Sequence, residues 1–91
     1  MKLRDVIRYE FIGLPCEVAD AKNKSLVGIK GIIVDETMNT IVVKGDDGRK
    51  RRILKRGTLF RIKFKDKNVL IPGDDIIMRP EDRIKMKYKK W

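Results

Sequence analysis

The chain has 91 residues, of which 42% are hydrophobic and 40% charged, with one cysteine and no histidine. This length leaves room for one hydrophobic core, so we expect a single domain over residues 1–91. Without histidine the most common general base is absent, and the lone cysteine excludes both an intrachain disulfide and a zinc site built from histidine and cysteine. No apolar run approaches the roughly 18 residues that cross a bilayer.

The charge balance points to a polyanionic partner. Basic residues outnumber acidic ones by 23 to 13, which gives a formal net charge of +10. Lys and Arg side chains that neutralise phosphates release counterions, so such an excess favours binding to nucleic acid. The alternative is a thermophile surface on which the charge serves solubility alone. A lone free thiol is typical of a reducing compartment, and the N-terminus lacks the apolar segment of a signal peptide, so we expect a cytoplasmic protein.

The first predicted element is a short amphipathic helix over about residues 2–10, ending before Gly13. Its apolar side chains fall at helical spacing and are Leu3, Val6, Ile7 and Phe11. The period then changes to two, with Cys16 and Val18 on one face of a strand. A cysteine on an apolar face is typical of a small core residue rather than a reactive thiol.

The stretch SLVGIKGIIVDETMNTIVVK predicts a bent β-hairpin. Gly28 and Gly31 interrupt a β-branched run, which is typical of a strand that bends or admits another backbone closely. DETMN is the predicted turn, and TIVVK is the returning strand. We expect Asp35, Glu36 and Asn39 to organise the turn through their own backbone.

Four further strand candidates follow between turn signals that are about eight to ten residues apart. They are RKRRILK, TLFRIKF, NVLIPG and DIIMRP, and TLFRIKF shows the cleanest alternation. This spacing is typical of a small all-β barrel. We therefore predict a mainly β fold, namely a small, strongly bent antiparallel barrel of five to seven strands, closed or nearly so, with a short helix at each end.

The last segment, RPEDRIKMKYKKW, predicts a helix over about residues 80–90. Pro80 suits a first helical position, and the acidic first turn and basic last turn complement the helix dipole. Ile84, Tyr88 and Trp91 form a narrow apolar stripe. Both aromatic residues can stack on unpaired bases, but the stripe that they share with Ile84 favours packing on the sheet or on a partner.

Basic residues concentrate in the run RKRRILKR, in the C-terminal segment and in the loop AKNKS. A basic hairpin tip can reach a phosphate backbone, and the alternative is a solvated loop that pairs with Asp46 and Asp47. We favour phosphate binding, because two carboxylates cannot neutralise so large a local excess. The candidate RNA-binding residues are Lys22, Lys24, Lys30, Arg49, Lys50, Arg51, Arg52, Lys55, Arg56, Arg79, Arg83, Lys85 and Lys87.

Three other interpretations stay open on these grounds. A ribosomal or translation-associated RNA-binding β-barrel protein would have the same size and charge. A protein-interaction module would use the apolar stripes near the two termini. A metal-dependent nuclease would need Mg²⁺ bound by the aspartate pairs of GDDG and PGDD, but adjacent aspartates in glycine-flanked turns are more often turn formers, so we expect no metal bound by this chain.

Three blocks of the sequence, IGLPCEV, SLVGIKGIIVDETMNTIVV and PGDDIIMRPEDRIK, resemble the archaeal ribonuclease P protein component 1 family. The resemblance runs in order over nearly the whole chain. It implies an Sm-like β-barrel and a non-catalytic, RNA-binding protein subunit of ribonuclease P, the ribonucleoprotein that removes the 5′ leader from precursor tRNA. In that family the RNA carries the active site and its Mg²⁺ ions, so no cofactor is expected on this chain.

The resemblance also implies two macromolecular partners, with precursor tRNA reached indirectly. One is the ribonuclease P RNA, and the other is a small zinc-ribbon protein subunit of the same enzyme, which forms a heterodimer with this family. That subunit contacts the N-terminal segment, a barrel strand and the C-terminal helix. The residues of this chain expected to bind it are Leu3, Val6, Ile7, Ile32, Ile84, Tyr88 and Trp91.

Overall fold

The structure is a computed structural model that describes residues 6–85. The strands in this range are β1 (Pro15–Ala21), β2 (Lys30–Glu36), β3 (Thr40–Lys44), β4 (Lys50–Leu54), β5 (Thr58–Phe64) and β6 (Lys67–Pro72). The helix α1 spans Pro80–Ile84, and two 3₁₀ turns span Lys24–Leu26 and Gly73–Ile76. No helix within residues 6–85 is long and apolar enough to cross a membrane.

The six strands form one antiparallel sheet in the order β4-β3-β2-β1-β5-β6. The predicted mainly β fold and its number of strands are thus confirmed. The register shifts in β1 between Val18 and Asp20 and in β2 between Ile33 and Asp35, and irregularities of this kind bend strands. Over the described residues no ladder joins β4 to β6, so the predicted closure into a barrel is wrong at the level of hydrogen bonds.

The two edges of the sheet nevertheless meet at one point through their backbones. Gly73, which follows β6, lies so close to the backbone of Lys55, which follows β4, that a Cβ atom on Gly73 would sit 1.8 Å from the Lys55 carbonyl oxygen. The contact does not extend into a ladder, because β4 has already ended and the chain enters a 3₁₀ turn at Gly73. One backbone contact therefore joins the two edges of the open sheet.

Alternate side chains of the strands are buried in one hydrophobic cluster, and we call the side of the sheet that they occupy the inner face. The predicted alternation of TLFRIKF is confirmed, since Phe60, Ile62 and Phe64 of β5 are buried. The segment before β1 covers part of this cluster, because Tyr9 and Phe11 contact the ring of Phe64 edge-on with centroids 5.7 and 6.0 Å apart. The opposite side of the sheet is the outer face.

The predicted N-terminal helix ends earlier than expected. Val6 is helical and residues 7–9 form a turn and bend, so the extension to residue 10 is wrong. Helical geometry stops there because Tyr9 and Phe11 pack against Phe64. In addition, the backbone carbonyls of Ile7 and Tyr9 accept hydrogen bonds from Arg83. Residues 2–5, with Leu3, lie outside the described residues.

The segment DIIMRP is not a strand. Its first part belongs to the 3₁₀ turn Gly73–Ile76, in which the Asp74 carboxylate accepts a hydrogen bond of 3.0 Å from the Gly57 backbone N–H. This contact holds the chain in a turn at the point where the apolar residues would otherwise favour extension. The predicted start of the C-terminal helix at Pro80 is confirmed, with Glu81 and Asp82 in its first turn. Lys87, Tyr88 and Trp91 lie outside the described residues.

Cys16 is a core residue, as its face of the strand predicted. Its side chain is buried against the inner face of β1. Burial, with a smaller contribution from the neighbouring Glu17 carboxylate, raises the pKa of the thiol from 9.0 to about 12. The thiol therefore stays protonated at neutral pH, and the reactive thiolate is scarce in the folded protein.

Thiol labelling should follow unfolding. We expect Cys16 to react with a disulfide reagent at pH 8 in about 6 M guanidinium, which unfolds typical domains. In buffer without denaturant, we expect the thiol to resist the same reagent. Because the pKa is higher in the folded protein, the folded state gains relative stability below pH 9.0 and loses it as the pH rises from 9.0 towards about 12. Rapid native labelling at pH 8 would contradict this placement of the thiol.

Candidate nucleic-acid interface

The hairpin of β3 and β4 carries a column of cations on the outer face, which we call the basic hairpin. Lys44 of β3 pairs directly with Lys50 of β4, and Arg52 follows two residues later. All three side chains are exposed, and no ion pair within residues 6–85 involves any of them. Like charges directly opposite each other destabilise an antiparallel pair. An anion between Lys44 and Lys50 would relieve that repulsion.

The tip of the basic hairpin is partly neutralised. Asp47 accepts a hydrogen bond of 2.9 Å from the Arg49 backbone N–H, and its carboxylate lies 3.3 Å from the Arg51 guanidinium. These contacts hold the pKa of Asp47 below its usual range, chiefly through the Arg49 N–H. The expected alternative of pairing with the turn aspartates therefore applies to Arg49 and Arg51. It does not extend to Lys50 and Arg52.

A second set of predicted residues lies around the loops at the far ends of β1 and β4. The backbone N–H of Lys22 donates to the Gly57 carbonyl at 3.0 Å, which brings Lys22 close to Arg56. Lys24 is exposed but its ammonium group binds Asp20 at 2.8 Å. Lys30 begins β2 on the outer face, and Arg79 and Lys85 are exposed at either end of α1. The structure thus places the predicted cations in separate groups around the sheet.

For two residues of the predicted RNA-binding set, Lys55 and Arg83, the prediction of phosphate contact is wrong. The side chain of Lys55 is fully buried, and its ammonium group donates to Glu36 at 2.9 Å, to the Ile76 carbonyl at 2.8 Å and to the Met78 carbonyl at 3.1 Å. Desolvation lowers the pKa of Lys55, and the contact with Glu36 opposes that shift. All three donors of Lys55 are used inside the protein, so none is free for RNA.

The side chain of Arg83 is also fully buried. Its guanidinium forms a two-point contact with the Glu36 carboxylate at 2.6 and 3.1 Å, donates to the backbone carbonyls of Ile7 and Tyr9, and lies 3.6 Å over the Phe11 ring. Arg83 therefore joins α1 to the N-terminal segment.

Glu36 is the centre of this buried group, and its predicted role in the turn is wrong. It is 6% exposed and binds Arg83 and Lys55 together, and we call the three residues the charge clasp. The neighbouring Asp35 does organise the turn locally, since its carboxylate accepts from the Glu36 backbone N–H at 2.8 Å. The Asn39 carbonyl accepts from the Lys55 backbone N–H, also at 2.8 Å. The end of β2 is thus tied to the end of β4 and to α1.

The described residues that were expected to bind a protein partner differ in how exposed they are. Val6 and Ile7 are buried in the chain's own core, so the expectation that they form a docking surface is wrong. Ile32 is 42% exposed on the outer face of β2, and Ile84 is half-buried in α1.

Three cations on the outer face were missed by the sequence analysis. Lys44 is placed by the five-residue loop between β3 and β4, which sets it opposite Lys50. Arg61 and Lys63 occupy the outer positions of β5, and Arg61 contacts Glu17 of β1 at 3.3 Å. The alternation of TLFRIKF already contained the signal for β5, because the residues between its buried positions must face outward.

The aspartate pairs do not gather into a metal site. Within residues 6–85 there is no group of three or more His, Cys, Asp or Glu residues that could hold a metal ion. Asp74 accepts from the Gly57 backbone, and Asp47 is engaged by Arg49 and Arg51. These contacts are those of turn formers.

The chain is similar to ribonuclease P proteins over nearly its whole length. A family model described as ribonuclease P/MRP, subunit p29, matches residues 4–86. Ribonuclease P protein component 1 of Methanocaldococcus jannaschii is 45% identical over 85 residues, which cover 93% of this chain and 90% of that protein. The protein of the same description from Archaeoglobus fulgidus is 48% identical over 81 residues, covering 89% and 78%.

A solved structure of Mth11, a homologue of human RNase P protein Rpp29, has the same fold. It superposes with a TM-score of 0.61 at 36% identity and covers 84% of this chain and 99% of that chain. The resemblance noted in the sequence is thereby confirmed, and the chain belongs to the ribonuclease P/MRP subunit p29 family.

Proposed function

We propose that this chain is a non-catalytic, RNA-binding protein subunit of ribonuclease P that supports the catalytic RNA in removing the 5′ leader from precursor tRNA. The observation that carries the proposal is the family match over residues 4–86. The outer face adds a physical reason, because its cations have no matching set of carboxylates and phosphates would neutralise them. The chemistry then belongs to the RNA and to Mg²⁺ held there.

The basic hairpin is the part of the surface that we assign to the RNA backbone. Lys44 and Lys50 stand opposite each other without an ion pair among residues 6–85, so a phosphate between them gains two contacts and removes a repulsion. Exposed Lys22 and Arg56 offer a second, smaller contact at the other end of the sheet. Further RNA contacts are proposed at Lys30, Arg49, Arg51, Arg79 and Lys85.

We further propose that the contact of Gly73 with the Lys55 backbone acts as a one-point seam between the β4 and β6 edges of the open sheet. The zinc-ribbon subunit of the same enzyme is the proposed protein partner. Half-buried Ile84 supports an apolar contact with it, and the free thiol of Cys16 supports a cytoplasmic location.

The proposal is tested by the salt dependence of binding to a ribonuclease P RNA transcript. Lys44→Ala combined with Lys50→Ala should weaken binding and reduce the slope of log affinity against log salt by about two units, or about one for each lost phosphate contact. Filter binding between low and moderate salt measures both quantities.

The matched control is Lys65→Ala combined with Lys67→Ala, which removes the same charge from the β5–β6 hairpin. Equal losses in the two variants would mean that the chain attracts RNA through net charge alone, and an unchanged slope in the Lys44 and Lys50 variant would remove the basic hairpin from the interface. Preference for a ribosomal RNA fragment over the ribonuclease P transcript would favour the translation-associated alternative.

A further inference from the structure

A groove of about 280 Å³ crosses the outer face of the sheet where β1, β2 and β5 lie side by side. Its floor is formed by the backbone of the β1–β2 ladder, where Cys16 pairs with Gly31. Its volume is close to the lower bound of small-ligand sites, roughly 300 Å³. That size suits a single flat group such as a nucleobase. Neither the basic hairpin nor the charge clasp accounts for this groove.

The wall of the groove on the side of β2 is apolar. Ile32 and Pro15 pair directly across the β1–β2 ladder, and Ile32 is 42% exposed. Both side chains line the groove. They present a surface of sp³ carbon against which the face of a base can pack, because every base has an apolar face whatever its sequence.

The opposite wall is polar and carries an excess of positive charge. Glu17 lies between Lys30 and Arg61 in the sheet, and Arg61 contacts it at 3.3 Å. Lys63 pairs with Asn68 at the end of the groove. Glu17 is thus ion-paired with Arg61. No ion pair within residues 6–85 involves Lys30 or Lys63, so both ammonium groups are available to an anion. The amide of Asn68 can both donate to and accept from a base edge.

The second acidic residue of the lining is Asp46, which comes from the turn of the basic hairpin. Together the lining has three cations, Lys30, Arg61 and Lys63, against the carboxylates of Glu17 and Asp46. The net charge of the lining is therefore positive but small. It fits one phosphate with its attached base better than a run of phosphates.

We propose that this groove binds one unpaired nucleotide of the RNA, with the base against Ile32 and Pro15 and its phosphate near Lys63 and Lys30. The inference rests on the proposed RNA-binding function and names a site within it.

The path of the RNA strand across the sheet follows from the register of β2, β3 and β4. Ile32 pairs with Lys44, and Lys44 pairs with Lys50, so the three residues lie in one row across β2, β3 and β4. Neighbouring strands are about 4.8 Å apart, which places the two lysines within roughly 10 Å of the groove. A strand leaving the groove along this row meets the basic hairpin. An apolar protein segment in the same place would leave those cations without counter-charges.

The test separates contact with a base from contact with phosphate. Ile32→Ala should lower affinity for the ribonuclease P RNA transcript about fivefold, near the weak end of base stacking, with an unchanged salt slope. Lys63→Ala should lower the slope by about one unit. Met38→Ala is the matched control, because Met38 is 47% exposed in the β2–β3 turn, away from the groove. Cross-linking of RNA that contains 4-thiouridine should label the peptide around Ile32.

Three results would overturn the proposal. One is an Ile32→Ala variant that keeps full RNA affinity although thermal unfolding shows it folded. Another is a loss of affinity for the zinc-ribbon subunit with RNA binding intact, which would make the groove a protein site. The third is an equal effect of Met38→Ala. If the Lys44 and Lys50 variant also binds RNA normally, the basic hairpin is removed from the interface together with the groove. The proposed function itself fails if the wild-type chain does not prefer the ribonuclease P transcript to ribosomal RNA. A weakened hairpin variant beside a normal Ile32→Ala protein removes the groove alone.

Discussion

Glu36→Gln is expected to destabilise the fold by about 3–5 kcal/mol, the usual cost of removing one partner from a buried ion pair. The substitution preserves the size of the side chain and removes its negative charge. Lys55 and Arg83 would then remain fully buried without a counter-charge. Since a domain of this size is stable by roughly 5–15 kcal/mol, the loss is a large part of the total. Urea unfolding followed by circular dichroism measures it.

Asp35→Asn is the matched control for this change. Asp35 precedes Glu36, is exposed, and uses one carboxylate oxygen to accept from the Glu36 backbone N–H. Asparagine keeps that oxygen, so the expected effect stays within about 0.5 kcal/mol. Adding Lys55→Met to Glu36→Gln should recover part of the loss, because it removes one of the two unpaired cations. Equal stability of Glu36→Gln and Asp35→Asn would mean that the charge clasp contributes nothing to folding.

The charge clasp could not be predicted from the sequence, because its members are far apart along the chain. Glu36 is 19 residues from Lys55 and 47 from Arg83. Glu36 stands next to a turn, Lys55 lies within a basic run, and Arg83 lies in a charged helix, so each has the local pattern of a surface residue. Only the meeting of the ends of β2 and β4 with α1 buries them. Charge runs therefore overstate the RNA-binding surface wherever a cation is used internally.

The strand pattern was predictable where a side-chain period of two was uninterrupted. TLFRIKF became β5 with the expected faces, and Cys16 and Val18 were placed correctly on the inner face of β1. Prediction failed where a tertiary contact overrode local preference. DIIMRP is apolar and would suit a strand, but the Asp74 carboxylate holds a turn against Gly57. The contact of Gly73 with the Lys55 backbone likewise joins chain segments whose meeting no local pattern encodes.

Among the exposed cations, the sequence predicted the side chains of the basic run but not their geometry. Lys50 and Arg52 were expected to contact RNA, and their place on the outer face keeps them available. Lys44 was missed because its importance comes from the register that sets it opposite Lys50. Register depends on loop length as well as on composition. A hairpin count from Lys44 through GDDGR to Lys50 would have paired them.

Gly73→Ala is expected to destabilise the protein by about 3 kcal/mol, at the upper end of the usual cost of overpacking. A Cβ atom there would lie 1.8 Å from the Lys55 carbonyl oxygen and 2.6 Å from its carbonyl carbon. These are backbone atoms, so no side chain can rotate away and the two edges of the sheet must separate. Lys55 and the carbonyls of Ile76 and Met78 that it binds would be pulled apart with them.

Gly45→Ala provides the comparison, because its nearest contact would be the flexible Asp47 carboxylate at 3.1 Å. We expect that variant to lose less than about 1 kcal/mol. Amide hydrogen exchange locates the damage. In Gly73→Ala, the Lys55 and Gly57 amides, which donate to Asn39 and Asp74, should exchange faster relative to amides in the β1–β5 ladder. Uniformly faster exchange would indicate global destabilisation without opening of the seam, and wild-type stability would mean that the Gly73 contact does not hold the sheet edges together.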